Sequence, residues 1–175
     1  MFKIIAIAVL VVLVAILIFA TTKPDNFRVE RSTTIKAAPE RVFALINDFQ
    51  RWTSWSPYEK KDPGMKRTYS GAASGTGAIY EWDGDKNVGK GRMEITESTP
   101  SSRIVIKLDF LAPFEAHNTA EFTLQAQGDS TQVTWAMYGP ANFMSKLMSV
   151  FFSMDKMIGD DFAIGLANLK AAAEQ

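Results

Sequence analysis

The chain has 175 residues, and its nineteen basic and nineteen acidic side chains give a formal net charge of zero. This length suits one domain with an appendage, and a neutral chain without a basic stripe argues against a nucleic-acid partner. The absence of cysteine excludes disulfides, thiolate catalysis and cysteine-ligated zinc, and the single histidine, His117, excludes a two-histidine metal motif. We therefore expect neither a metal site nor a cofactor.

Residues 4–20 form an unbroken apolar run. As a helix this run would be about 26 Å long, close to the thickness of a bilayer's hydrocarbon core. A buried core helix is disfavoured because no polar residue interrupts the run. A cleaved signal peptide is the serious alternative. A cut after Ala20 would place the large Ile18 where a small residue is preferred, whereas a cut after Thr22 would place the acceptable Ala20 there, but the apolar run is long for a signal peptide. The sequence favours an uncleaved single-pass membrane anchor over residues 1–22.

A short polar linker, residues 23–26, connects this anchor to a domain that we expect over residues 27–172. One basic residue, Lys3, precedes the span, and three follow it: Lys23, Arg28 and Arg31. By the positive-inside rule this excess favours a cytoplasmic domain. An N-terminal span of this kind nevertheless usually delivers the rest of the chain outside. We favour the extracytoplasmic side of the cell membrane and keep the cytoplasmic side as an alternative.

The first predicted strand, residues 27–36, alternates apolar and polar side chains, and Arg31 falls on its apolar face. A guanidinium in that position needs a partner, so Arg31 is either paired with an internal carboxylate or free to hold an acidic ligand group. Pro39 and Glu40 open a helix. The aromatic residues Trp52, Trp55 and Tyr58 follow, either as core packing or as the mouth of a cavity.

From residue 65 the apolar residues alternate with a period of two, and turn residues such as Gly128-Asp129 separate the runs. Six strands are predicted in succession: residues 65–70, 78–83, 88–97, 103–110, 115–127 and 131–139. Apolar residues then recur every three or four positions from 143 to 170, which predicts one long amphipathic helix, about 42 Å in length. The order is that of an α+β domain with helices on one face of an antiparallel sheet.

This order, and five stretches within it, resemble a known fold. The stretches are IKAAPERVF (35–43), WTSWSP (52–57), MKRTYSG (65–71), TQVTW (131–135) and GLANLK (165–170). They are similar to the helix-grip fold of the START and pollen-allergen (SRPBCC) superfamily, in its bacterial polyketide cyclase/dehydrase-like and lipid-transport-like branch. The resemblance covers residues 27–172 and is specific for the fold: a curved sheet of about seven strands wrapped on a long C-terminal helix. Members range from ligand carriers to cyclases, so no catalytic residue is carried over.

The resemblance implies a cavity between the concave face of the sheet and the long helix. Alternation and helical spacing independently suggest which side chains face that space. With Arg31, the predicted lining is Tyr80, Trp82, Met93, Ile106, Phe122, Trp135, Met137, Met154, Met157, Ile158 and Phe162, and the predicted mouth is Trp52, Trp55 and Tyr58. The same apolar residues would equally fill an ordinary core.

Other candidate chemistry is weak. Gly75-Thr76-Gly77 lacks the third glycine and the following helix of a phosphate-binding loop. His117 shares a strand face with Glu115, Thr119 and Glu121, opposite Phe122, which predicts a solvated position rather than a general base. The cluster Glu81, Asp83 and Asp85 straddles a tight turn and is better explained by solvation than by a cation.

Three functions remain open. The first is a membrane-tethered binding domain for a hydrophobic small molecule or lipid. The second is a cyclase- or dehydratase-like enzyme, which needs at least two inward titratable groups near one ligand atom. The third is a protein-interaction module at the membrane, which needs exposed rings at Trp52, Trp55 and Tyr58.

Overall fold

The computed structural model describes all 175 residues and contains the predicted antiparallel sheet. The strands are β1 Asn26–Ile35, β2 Lys66–Gly71, β3 Ala78–Asp83, β4 Lys90–Thr99, β5 Arg103–Ala112, β6 Ala116–Gln127 and β7 Ser130–Pro140. The helices are α1 Phe2–Thr21, α2 Pro39–Ile46, a 3₁₀ helix Phe49–Ser54, α3 Pro57–Lys61, α4 Phe143–Phe151 and α5 Met154–Ala173.

The seven strands form one sheet in the order β1-β7-β6-β5-β4-β3-β2, with every neighbouring pair antiparallel. Strands β2 to β7 form a meander, and the last strand, β7, pairs with the first strand, β1, which lies at the edge of the sheet. The register of β4 on β5 shifts between Ile95 and Glu97, which leaves Thr96 as an extra residue. Such a bulge bends a strand and increases its twist, and so curves the sheet around what lies on its concave face. The α+β helix-grip fold is confirmed.

Helix α5 lies on the concave face. It buries one stripe of side chains, Phe162, Leu166, Leu169 and Ala173, against the sheet and α2. These positions are three or four residues apart, so they lie on one side of the helix. Gly165 allows the helix to come close to the sheet, because a Cβ atom there would lie 2.7 Å from the Trp135 ring and 3.0 Å from Pro57.

The C-terminal helix is not continuous, and the prediction of one helix over residues 143–170 is wrong in this respect. Helix α4 ends at Phe151, and Phe152 is extended, with φ −130° and ψ 137°. Helix α5 then begins after Ser153, whose hydroxyl oxygen accepts a hydrogen bond from the backbone N–H of Lys156. A serine at the N-cap satisfies a backbone donor of the first helical turn, which makes a second start favourable at this point.

Helix α1 is long and apolar enough to cross a membrane. From Phe2 to Phe19 every residue except Ile16 is exposed, and only Ala20 is buried. A core helix would bury these side chains, so the core-helix interpretation is excluded. A membrane span and a signal sequence both fit this helix.

Candidate ligand-binding region

The sheet residues that the sequence places in the lining all lie in the protein interior. They are Tyr80, Trp82, Met93, Ile106, Phe122, Trp135 and Met137, and each is at most 9% exposed. Alternation along β3 to β7 puts them on the concave face, because successive side chains of a strand point to opposite faces. They belong to one continuous core together with the buried stripe of α5.

The predicted lining residues on α5 differ in how far they are buried. Phe162 is buried, Ile158 and Met154 are half-buried, and Met157 is 55% exposed. The prediction that Met157 points inward is wrong. It lies five residues before Phe162, a rotation of about 140° from the buried stripe at 100° per residue. The break at Phe152 determines which side chains of α5 face the sheet, because a new helix begins at Met154.

Trp135 occupies the centre of the interior. Its ring stacks on Phe162 of α5 at 4.0 Å between ring centroids with 9° between the planes, and on Phe122 at 5.0 Å and 26°. The Trp55 ring meets it edge-on at 5.6 Å. Contacts of this geometry stabilise a core beyond the burial of their area. The space directly beneath α5 is therefore occupied by aromatic rings.

Trp52 and Trp55 are 3% and 0% exposed, so they do not form the mouth of a cavity. Their indole N–H groups donate to the carbonyl oxygens of Ile46 at 2.9 Å and Leu45 at 3.0 Å, at the end of α2. These bonds satisfy the polar edge of each ring and allow complete burial. Tyr58 is half-buried. The interaction-module hypothesis loses the exposed rings on which it depended.

The indole N–H of Trp135 differs from those two. It is the one buried side-chain polar atom with no hydrogen-bond partner. A buried donor left unpaired costs about 1–3 kcal/mol, so a group that accepts from it would be favoured at this point. No sequence pattern distinguishes this tryptophan from Trp52 or Trp55, because the difference is set by which carbonyl groups lie within reach.

Arg31 is held by α5. Its guanidinium makes a two-pronged ion pair with the Asp155 carboxylate, with both N–O distances 3.0 Å, and it also donates to the Asp155 carbonyl oxygen at 3.0 Å. The hydrogen bond to Arg31 lowers the pKa of the Asp155 carboxyl group. The guanidinium lies directly over Gly159, where a Cβ atom would be 2.0 Å from Nη2. Arg31 therefore has a carboxylate partner, which is the alternative to holding a ligand.

A second polar group, which sequence reasoning missed, lies at the β2–β3 side of the interior. Glu59 of α3 is 7% exposed, and its carboxylate accepts from Arg67 Nε at 2.6 Å and from the Tyr80 hydroxyl at 2.7 Å. Burial and then the bond to Glu59 raise the pKa of Tyr80. The inward alternation of Tyr80 was the available signal, because a buried phenol needs a hydrogen-bond partner.

Two depressions lie outside this interior. One, of about 140 Å³, is lined by residues of the 3₁₀ helix, β2 and β3, including Phe49, Tyr69 and Ile79. The other, of about 400 Å³, lies at the C-terminal end of α5, between Leu45, Lys60 and Gln175. Neither is bounded by a residue of the predicted lining. Neither depression is therefore the cavity between the sheet and α5 that the resemblance implies.

The remaining polar candidates lie on the surface. His117 is exposed, and its Nδ1 lies 2.7 Å from the carboxylate of the buried Asp109. The hydrogen bond to Asp109 raises the pKa of His117 above its ordinary value. Asp83 pairs with Lys90, and Asp85 accepts hydrogen bonds from Asn87 within its own turn. The structure groups no three acidic or imidazole side chains for a metal ion.

A model of the polyketide cyclase/dehydrase and lipid transport family matches residues 26–174. The chain belongs to this family. The match covers the whole sheet and α5, and it leaves out residues 1–25 and Gln175. The fold of the polyketide cyclase/dehydrase and lipid transport family suggests the binding of a hydrophobic ligand, which agrees with the apolar concave face described above.

Solved structures share the fold of this family member. A Thermobifida fusca protein is 20% identical, aligned over 83% of this chain and 92% of its own, with a TM-score of 0.63. A Chromobacterium violaceum protein is 18% identical over 87% of this chain and 99% of its own, with a TM-score of 0.59. The Aha1 dimer from Colwellia psychrerythraea is 16% identical over 85% and 96%, with a TM-score of 0.58. At these identities the likeness shows the fold alone. No curated protein sequence matches the chain.

Proposed function

We propose that this chain is a membrane-tethered domain that binds a hydrophobic small molecule or lipid between the concave face of the sheet and α5. The observation that carries the proposal is the unpaired indole N–H of Trp135 at the centre of a largely apolar interior, in which every other buried side-chain polar atom has a hydrogen-bond partner. Ligand sites combine apolar walls with a few placed polar groups that fix orientation. A ligand with an apolar body and one hydrogen-bond acceptor, such as a carboxylate or ester oxygen, matches this interior.

The hydrogen bonds of α5 suggest where such a ligand enters. The second half of the helix is tied to the body by Asn168, which donates to the Trp55 carbonyl oxygen, and by Glu174, which accepts from the Lys36 backbone N–H. The first two turns, which precede the stack of Phe162 on Trp135, are held by the partly exposed pairs Arg31–Asp155 and Lys61–Asp161. Partly exposed ion pairs contribute less stability than a buried stack, so these two turns open at a lower cost than the rest of α5. Entry therefore lies near the α4–α5 junction.

Binding without catalysis is preferred to the cyclase- or dehydratase-like alternative. The inward titratable groups that meet are Glu59 and Tyr80, and the Glu59 carboxylate accepts hydrogen bonds from both Tyr80 and Arg67. A general acid or base must reach the proton of a substrate, and these groups are already engaged with protein partners. Trp135 has no such partner and does not titrate, so it suits recognition better than proton transfer.

The test is native mass spectrometry of the full chain, released from detergent after delipidation and exposure to oleate. We expect a one-to-one adduct. In Trp135→Phe, which keeps a stacking ring but removes the N–H, the apparent affinity should fall roughly two- to tenfold, as for the loss of one hydrogen bond. Trp82→Phe is the matched control, because the Trp82 N–H already donates to the Val88 carbonyl oxygen. Absence of any adduct with the wild-type chain, or equal losses in both variants, would contradict the proposal.

A further inference from the structure

Helix α4 has an unusual orientation of its side chains. Its apolar residues Met144, Met148 and Phe151 are 44%, 41% and 61% exposed. Its polar residues Ser145, Lys146 and Ser149 are half-buried, and the side chain of Lys146 is only 12% exposed. A helix in water turns its polar face outward, whereas the exposed side of α4 is apolar and its less exposed side carries the polar residues together with Leu147 and Val150. Positions 144, 148 and 151 are separated by three or four residues and form one apolar stripe.

The polar side of α4 is tied to the chain beside α1. Lys146 pairs with Asp25 in the linker, and this pair lowers the pKa of the Asp25 carboxyl group. The Ala141 backbone N–H donates to the Asp25 carbonyl oxygen at 2.7 Å. Helix α4 also packs against α1, where Ala20 is buried. The stripe is consequently held next to the end of the apolar run.

Further apolar residues are exposed at the same end of the sheet. The first residue of β1, Asn26, pairs with Pro140 at the end of β7, and the β5–β6 turn reaches that end as well, because Phe110 pairs with Ala116 there. Leu111, at the end of β5, and Phe114, in the turn, are 49% and 63% exposed. Phe152, in the α4–α5 junction, is exposed too. Several exposed apolar side chains near one end of a domain favour an interaction site there.

We propose that α4 lies in the interface of the lipid bilayer, with its stripe of Met144, Met148 and Phe151 immersed in the leaflet that α1 enters. The bilayer is the occupant that fits, because the stripe continues the surface of α1 at the place where the span ends. The apolar β5–β6 turn rests on the same leaflet. An amphipathic helix in this position holds the domain at a fixed orientation to the membrane. The inference rests on the proposed tether through α1.

The test uses the cysteine-free full chain in liposomes, with an environment-sensitive nitrobenzoxadiazole label on single cysteines. The sites are Met148→Cys on the stripe, Val11→Cys within α1, and Asp129→Cys in the exposed β6–β7 turn as the matched control. We expect lipids with a doxyl group near the headgroup to quench the label at 148. Lipids with the doxyl group deep in the chain should quench it at 11, and neither should quench it at 129.

The outcomes separate the two proposals. Quenching at 11 with a label at 148 that behaves like the control would overturn the docking of α4 while the tether stands. Absence of quenching at 11 would overturn the tether and the docking with it. A blue-shifted label at 148 that no doxyl lipid quenches, but that self-quenches with rising protein-to-lipid ratio, would show that a second copy covers the stripe. That result also overturns the proposal.

Discussion

Arg31 and Gly159 depend on each other. The arginine lies on the apolar face of β1, and the sequence correctly indicates that it needs a partner. Which carboxylate supplies it could not be predicted, because Asp155 comes within reach only through the start of α5 after the break at Phe152. Gly159 provides the room that the guanidinium occupies.

We predict that Gly159→Ala changes the stability of the protein in opposite directions in two backgrounds. In the wild type the new Cβ would lie 2.2 Å from Arg31 Cζ, so the guanidinium must leave its two-pronged pair with Asp155, and the chain should become less stable. In Arg31→Ala the obstacle is gone, and replacing a helical glycine by alanine should stabilise by about 1 kcal/mol. Urea denaturation of the full chain in detergent, followed by circular dichroism, measures both. Equal effects in the two backgrounds would show that Arg31 is not held over Gly159.

Trp52 and Trp55 show the limit of residue-level reasoning. Their number and spacing suggest either packing or an opening, and nothing in the sequence decides between them. The decision rests on the carbonyl oxygens of Ile46 and Leu45, which are free at the end of α2 and accept the two indole N–H groups. The sequence likewise does not indicate that the indole N–H of Trp135 is left unpaired. Satisfied and unsatisfied tryptophans are alike until the backbone around them is known.

The elements themselves were largely predictable. Each strand of the structure begins and ends within two residues of the alternating run that predicts it, because a sheet with one buried face imposes a period of two on the sequence. The break between α4 and α5 was not predictable from periodicity, since apolar residues continue at three- and four-residue spacing through Phe151, Met154 and Ile158. The local signal was Ser153 followed by Asp155, an N-cap and an acidic first turn.

The break should depend on its cap. We predict that Ser153→Ala lowers the free energy of unfolding by about 1 kcal/mol, because the Lys156 backbone N–H loses its acceptor. Ser149→Ala, in the interior of α4, is the matched control, and its effect should stay within about 0.5 kcal/mol. Urea denaturation of each full-length variant measures the difference. Equal effects would mean that Ser153 does not determine where α5 begins.

At the scale of the molecule, the sequence predicts the architecture and the apolar nature of the interior but not its free volume. A core residue and a cavity-lining residue share the same alternation, and the difference depends on how rings such as Trp135 and Phe162 stack. The outward orientation of the apolar side of α4 was hidden for a related reason. Its helical periodicity is ordinary, and only the packing against α1 and the pairing of Lys146 with Asp25 show that the apolar side is turned outward.

We predict that α1 stays uncleaved and places residue 2 and residue 175 on opposite sides of a membrane, with the domain on the extracytoplasmic side. In right-side-out vesicles, Gln175→Cys should therefore react with a membrane-impermeant maleimide, whereas Phe2→Cys should react only after permeabilisation. The protein should remain in the membrane after a carbonate wash with its full mass of 19.4 kDa. A helix of 20 residues is about 30 Å long, the thickness of the hydrocarbon core, so α1 can place its two ends on opposite sides. The reverse labelling would assign the domain to the cytoplasm, and a released chain that lacks the mass of α1 would identify the helix as a signal peptide.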